Sequence, residues 1–408
     1  MDEHLTPSGG PTALGPPSRE EFAERRARAL DAALGRGYDG MIVWSRGATN
    51  ADANAGVLYL ANHQTPCSHL PDFPGSSSRG HCAIVLVPDR EPVLVTDYFE
   101  VEPGVVAVDD VRATTRIPAT VAEVCEELGL GRSRIAFDGA TALMHASWVE
   151  LHAGLPGVTA LEFADDILRD MRAVKSPHEV ELMRDASRIG CEWMAATLAA
   201  IEPGKTEGQV IGAGLERLAA CGGWPLDVAI AAGPAVHRHR HRQGVPTFDA
   251  TYPLRTGDQI HVDLWGPAAH NYQCDIHRTT VVGSKPSPDQ LHYLEASIAL
   301  IEHVIAGMRP GIGFSDLHAR AEEWLSSEGF GGDDSGLAKQ FGNYGHSLGL
   351  TVEAPLVIAD EDAVLAENMV LAVEGSPGNA AHFEHIVVVT ATGVEILTDG
   401  VTARPWAD

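Results

Sequence analysis

Hydrophobic and polar positions change period along the chain in a way that separates two halves. From Glu20 to Leu34 charged and alanine residues recur at helical spacing, which predicts a surface helix. Gly40–Trp44 reads as a short apolar strand, and His81–Pro88 with Pro92–Thr96 as a strand pair joined by Asp89 and Arg90. Thr120–Leu128 predicts a further helix and Arg134–Asp138 a further strand. This alternation predicts an α/β domain over 19–170, preceded by a mobile tail over 1–18. Asn62 to Gly80, rich in His, Pro, Ser and Gly, is a long internal loop, and loops of that length are usually functional or disordered.

Near Asp170 the pattern changes to MRAVKSPHEVELMRDAS, the start of a long helix with Pro177 in its first turn, and a second domain is expected over 171–408. Two of its helices end in similar phrases, IEPGKTEGQV and MRPGIGFSDL, a weak internal echo. Ile260, Val262 and Leu264 alternate with His261 and Asp263, so a strand here presents Asp263 on one face and an apolar stripe on the other. Gly266 and Pro267 predict the turn that brings Asp275 back to it. Glu374 ends the apolar run Met369 to Val373, Glu384 precedes Ile386 to Val389, and Gly375, Pro377, Gly378 and Asn379 between them predict a second hairpin. His346 lies in GNYGHSLGL, read as a turn whose glycines allow close backbone approach.

Asp263, Asp275, His346, Glu374 and Glu384 are the donor set that a pair of divalent cations sharing bridging ligands needs, and a buried carboxylate without a partner costs several kcal/mol. They predict a metallohydrolase. Mixed oxygen and nitrogen donors suit Mn, Fe, Co or Zn, and the excess of carboxylates favours Mn or Fe. The rival is a serine hydrolase, because GHSLG fits G-x-S-x-G with Ser347 as nucleophile. That motif needs an apolar strand before it and a helix after it, whereas LAKQFGNYG precedes it and Pro355 interrupts any helix on its far side.

These motifs, from MRAVKSPHEVELMRDAS and IEPGKTEGQV through TGDQIHVDLWG, CDIHRT, GHSLGL, ENMVLAVEG and FEHIVVVT, resemble the pita-bread metallopeptidase family of creatinase, prolidase, aminopeptidase P and methionine aminopeptidase, over roughly residues 171 to 400. The resemblance implies an α/β (α+β) chain of two-domain creatinase-like architecture with a C-terminal pita-bread domain. It further implies two divalent metal ions, with Asp263 on one, Asp275 and Glu384 bridging, and His346 and Glu374 completing the other. Glu374 or Glu353 would take a proton from a water whose pKa the cations lower. His241 would stabilise the developing oxyanion, and His237, Trp265 and His382 would touch substrate. His237, His239 and His241 share one face of VHRHRHRQ if that stretch is extended. The resemblance also implies a homodimer in which Asn62–Gly80 shapes the partner's pocket. The substrate implied is a small molecule or short peptide with a C–N bond.

The departures from the family are as informative. Glu353 stands where the peptidases carry a second His, and His382 and Phe383 precede Glu384 where prolidase-like enzymes have an Arg. A Glu two residues before Pro355 resembles instead the branch of creatinase-like hydrolases and the metal-dependent dimethylsulfoniopropionate lyase, so a lyase is the alternative chemistry.

Composition narrows the partners. The 29 basic and 56 acidic residues leave a formal charge of −27, which argues against nucleic acid or an anionic membrane and for attraction of cations. Six cysteines without a CxxC suit a reducing cytosol. The start MDEHLTPSGGPTALGPPS lacks a basic n-region and an apolar core, and no apolar run is long enough to span a bilayer, so the expected location is cytoplasmic.

Overall fold

The computed structural model describes residues 9–47, 55–65, 71–101, 104–238, 248–330 and 343–406. Packing groups Pro16–Arg172 into one unit and Ala173 onward, with the described residues before Pro16, into another.

In the first unit, β1 (Gly40–Arg46), β2 (His81–Leu86), β3 (Val93–Thr96), β4 (Asp110–Ala113), β5 (Arg134–Asp138) and β6 (Ala160–Phe163) form one mixed sheet in the order β4-β3-β2-β1-β5-β6. β1 and β2 are antiparallel, whereas β1 pairs in parallel with β5. Ile42, Trp44, Val85, Val95 and Phe137 pack with Val121 and Cys125 of α3 (Ile117–Glu127) and Leu151 of α4 (His145–Gly154). Each such side chain contributes on the order of 1.5–3 kcal/mol on burial. α1 (Arg19–Gly35) begins where Ser18 accepts the Glu21 amide at 3.1 Å. α2 (Ala55–Ala61) is not among the predicted elements: all seven residues of AGVLYLA are buried, so it shows no amphipathic period.

After α5 (Asp166–Ala173), the second unit continues with the long α6 (Pro177–Ala199), α7 (Glu207–Ala220), α8 (Pro288–Ala306) and α9 (Phe314–Ser327). Its strands are β7 (Asp227–Ala232), β8 (Gln259–Ala269), β9 (Tyr272–Val281), β10 (Gly345–Leu348), β11 (Val352–Leu356), β12 (Val370–Gly375), β13 (Phe383–Val389) and β14 (Val394–Ile396). They form two antiparallel sheets, β7-β8-β9 and β11-β10-β12-β13-β14. Ser176 and Glu179 close a capping box around Pro177 at the start of α6.

The echo between the two Pro-Gly phrases is structural. Gly204 and Gly311 both sit at φ +90, where a Cβ would be strained. Gly204 donates to Leu254 O at 2.8 Å and Gly311 to Leu365 O at 2.9 Å. Each connection ends in one bridged pair, Thr206 with Pro253 and Gly313 with Val364. A helix–Pro-Gly–helix–strand module is thus used twice.

Both sheets turn an apolar face to helices. Leu371, Val373, Val387 and Val389 pack with Leu300, Ile301 and Val304 of α8 and Leu317 of α9. On the other sheet Cys274 meets α6 at Gly190, where an added Cβ would lie 2.7 Å from the Cys274 Cβ. Asp275, Glu374 and Glu384 alternate to the faces away from those helices.

Within the segment expected as a tail, His178 Nε2 lies 3.0 Å from Gly15 O, Arg188 donates to Gly10 O at 3.1 Å, and His270 Nε2 lies 2.6 Å from Leu14 O.

Candidate metal centre

The β8–β9 hairpin sets the first two carboxylates. Asp263 lies opposite His277, and Trp265 opposite Asp275, so all four share one face and the two aspartates are diagonal neighbours. The turn is not at Gly266–Pro267 as expected. β8 runs through both residues, and the chain reverses at His270 and Asn271, with φ of 47 and 68, the two left-handed positions of a tight hairpin. Gly266 instead admits the neighbouring segment, since a Cβ there would come within 2.8 Å of the Leu226 amide.

Across the second sheet, Glu374 pairs directly with Glu384 on the β12–β13 hairpin. His346 reaches the same place from β10, a strand and not the expected turn. Gly345, at φ 141, is required there because a Cβ would run into Ala372 O on β12. The His346 ring places Nδ1 3.2 Å from Ser347 O, which puts the proton on Nδ1 and leaves the Nε2 lone pair for a ligand. That Nε2 is 3.5 Å from Asp275 Oδ2 and 3.9 Å from Glu374 Oε1.

Ligand atoms of Asp275, His346 and Glu384 all lie within 4.8 Å of one another. Asp263 and Glu384 are each 1 % exposed, and Glu374 keeps 15 % of its side chain open. Asp275, Glu374 and Glu384 gather around the His346 imidazole, an arrangement that mutual repulsion and desolvation oppose and that a divalent cation would relieve. The oxygen and nitrogen donors fit such an ion.

The buried Arg278 guanidinium ties the two hairpins together, donating to Glu384 O at 2.6 Å and to Thr402 O at 3.0 Å. Burial pulls its pKa down to about 10, with Cys191 and Glu384 opposing that.

Glu353 lies opposite Ser347 on β11, with Lys175 Nζ 3.6 Å from its Oε2 and both side chains 1 % exposed. Gly349 makes room for the pair, because a Cβ would sit 3.1 Å from both Glu353 Oε1 and Lys175 Cε. Trp265 is partly exposed on the metal-site face. His382 is 1 % exposed, with Nε2 3.0 Å from Glu374 Oε2. His241 and His239 lie outside the described residues. The backbone at His237 belongs to the 3-10 helix Gly233–Arg238, so the extended reading of VHRHRHRQ does not hold at its start. Ser347 is completely buried in β10, and a strand follows it where a nucleophile elbow needs a helix, so the serine-hydrolase rival fails.

Sequence reasoning missed His277 and Lys175. His277 was detectable by extending the alternation of Asp275 one step, to the next residue on the same face of β9. Nothing local to Lys175 announces that Glu353 is its partner.

The sequence profile of metallopeptidase family M24 matches residues 181–391, more than half of the chain. The chain is 28 % identical to the Xaa-Pro dipeptidase of Pyrococcus furiosus over 271 residues, covering 64 % of this chain and 73 % of that protein. It is 27 % identical to the dimethylsulfoniopropionate lyase DddP of Roseovarius nubinhibens over 300 residues, 67 % of this chain and 61 % of that one. Among solved structures, the dipeptidase PepE of Mycobacterium ulcerans superposes with a TM-score of 0.74 at 24 % identity, covering 96 % of this chain and 100 % of that one. The fold these share is the two-domain pita-bread architecture. With its donor set on paired hairpins and a profile match that spans both of them, the chain belongs to metallopeptidase family M24, a family of metal-dependent hydrolases.

Proposed function

We propose that the chain hydrolyses a C–N bond of amide or peptide type in a small polar substrate, using two divalent cations. The observation that carries this reading is the direct pairing of Glu374 with Glu384 beside Asp275 and His346. Asp263, Asp275, His346, Glu374 and Glu384 would hold the cations, Mn or Fe being favoured over Co or Zn. When bound, such cations polarise the scissile group and lower the pKa of water.

The chain's own residues supply the rest. Glu374 is the most open of the site's carboxylates, at 15 % against 10 % for Asp275 and 1 % for Asp263, so it is the one placed to accept a proton from the attacking water. Trp265 offers an apolar wall opposite Asp275, and His237 and His241 act on the substrate from the segment before β8. The protein works as a homodimer in the cytoplasm, a location supported by the five buried free cysteines among the described residues, Cys82, Cys125, Cys191, Cys221 and Cys274. No helix among the described residues is long and apolar enough to cross a membrane.

A lyase is the second reading, favoured by Glu353 in place of the peptidases' imidazole and by the similarity to the lyase DddP. In it the Glu353 carboxylate would remove the α-proton, the electron pair would form the alkene as the bond from the β-carbon to the leaving group breaks, and alkene and leaving group would depart without consumption of water. Elemental analysis of untagged protein, wild type beside Asp275→Ala, tests the centre. About two equivalents of metal lost in the variant support it, and no uptake on metal addition sinks it. Dipeptides and small amides, assayed beside alkene release, then separate hydrolase from lyase.

A further inference from the structure

Behind the candidate metal ligands lie three buried imidazoles. His261 on β8, His277 on β9 and His382 just before β13 are 2 %, 0 % and 1 % exposed. His277 and His382 stack, with ring centroids 4.0 Å apart and planes at 13°, and His261 stands edge-on to His277 at 5.6 Å and 88°. Each ring of the stacked pair reaches a different ligand: His277 Nδ1 is 3.5 Å from Asp263 Oδ2, and His382 Nε2 is 3.0 Å from Glu374 Oε2. Asp263 and Glu374 stand on different sheets, so the stack spans the seam between them.

The proton positions of His261 and His277 are set by one hydroxyl. Thr279 Oγ1 donates to His382 O at 2.9 Å, which commits its hydrogen, and it accepts the His382 amide at 3.0 Å. His261 Nδ1, 3.0 Å from the same oxygen, must therefore be the donor. Its N–H also points toward His277 Nε2 at 3.4 Å, which makes Nε2 the acceptor and puts the His277 proton on Nδ1, the nitrogen that faces Asp263. Imidazoles that fix a ligand's orientation by donating to it are worth as much to a metal site as some ligands are.

We infer that His277 and His382 are positioning residues: a stacked pair, the His277 tautomer set by Thr279 through His261, that holds Asp263 and Glu374 in register so that ligands from two sheets meet the same metal centre. The inference rests on the dinuclear reading proposed for this site. It also gives His382, placed where prolidase-like enzymes have an Arg, a partner in His277.

The test uses full-length protein stripped of metal and titrated with Co2+ by calorimetry, with the visible absorption of the bound Co2+ recorded. His277→Phe keeps a stacking ring and removes the donor, whereas His277→Asn removes the ring and keeps a donor near the Nδ1 position. His277→Phe is expected to bind Co2+ about 10- to 100-fold more weakly with shifted absorption bands, and His277→Asn to recover most of the affinity. Wild-type affinity and bands in His277→Phe overturn the inference. If His277→Phe does not fold, His382→Phe against His382→Gln, which keeps a donor near Nε2, gives the same decision. Absence of Co2+ uptake by wild type fails the dinuclear reading itself, and so is distinguishable from failure of the relay alone.

Discussion

Glu374 and Glu384 face each other directly across the β12–β13 ladder, with Glu384 1 % exposed. Like charges opposite one another on a sheet are destabilising, so this pair opposes the fold unless a cation lies between them. Metal-free wild type should therefore unfold at a lower temperature than the loaded protein. Glu384→Gln should reverse the order of the metal-free forms. It removes about 1 kcal/mol of repulsion and should melt above metal-free wild type while failing to gain from added metal. Thermal unfolding with and without a chelator reads both effects, and a Glu384→Gln form that still gains stability from metal would remove Glu384 from the ligand set.

His346 and Asp275 come together at 3.5 Å from different sheets. Replacing either by Ala should lower metal stoichiometry and reduce kcat/KM by several orders of magnitude, with far-UV circular dichroism unchanged. Gly345→Ala should give a milder version of the same loss, because its Cβ collides with Ala372 O and pushes β10 away from β12. Metal content that stays at the wild-type level in His346→Ala would contradict the assignment.

Lys175 and Glu353 form an ion pair at 3.6 Å in which both side chains are 1 % exposed. Lys175→Met should cost about 3–5 kcal/mol, since it leaves a buried carboxylate without its cation, and Lys175→Met with Glu353→Gln should recover much of that. Urea denaturation of the two single variants and the double variant measures the coupling. Additive losses would show that the two charges do not depend on each other.

How far the sequence reached depends on whether each signal was local. Alternation around Asp263 and the Glu374–Glu384 hairpin are short-range patterns, and both hold in the structure. The strands that carry them were found for the same reason. The chain reverses at His270–Asn271 although Gly266 and Pro267 carry the stronger turn composition, because the conformation of those two is set by the segment at Trp224–Leu226 packing against Gly266. The glycines around His346 predict a turn where β10 forms, because Gly345 serves contact with β12, which is distant in sequence. The fully buried α2 carried no period to detect. Long-range pairings, His277 on His382 and Lys175 with Glu353, join positions 105 and 178 residues apart, and no local pattern encodes them.

In the first unit, Asp138 is 6 % exposed on β5, and burial pushes its carboxyl up to about 7, with the Arg172 charge opposing that. In the unfolded chain the same group titrates near pH 4, at about 3.9. Between those values the folded state binds more protons, so stability falls as pH rises from about 4 to 7, by on the order of 4 kcal/mol. His63 and His81 act in the opposite sense. Burial lowers both to about 4, so the unfolded chain takes up protons first and stability falls as pH drops from about 6.5 to 4. The two slopes partly cancel in the wild type. Asp138→Asn removes the first and leaves the second, so the variant's melting temperature should climb with pH across this window more steeply than the wild type's, and the variant should gain most above pH 7. Melting curves at half-unit steps from pH 4 to 8 decide the matter, and parallel wild-type and variant profiles would show that Asp138 is ionised in the folded unit throughout.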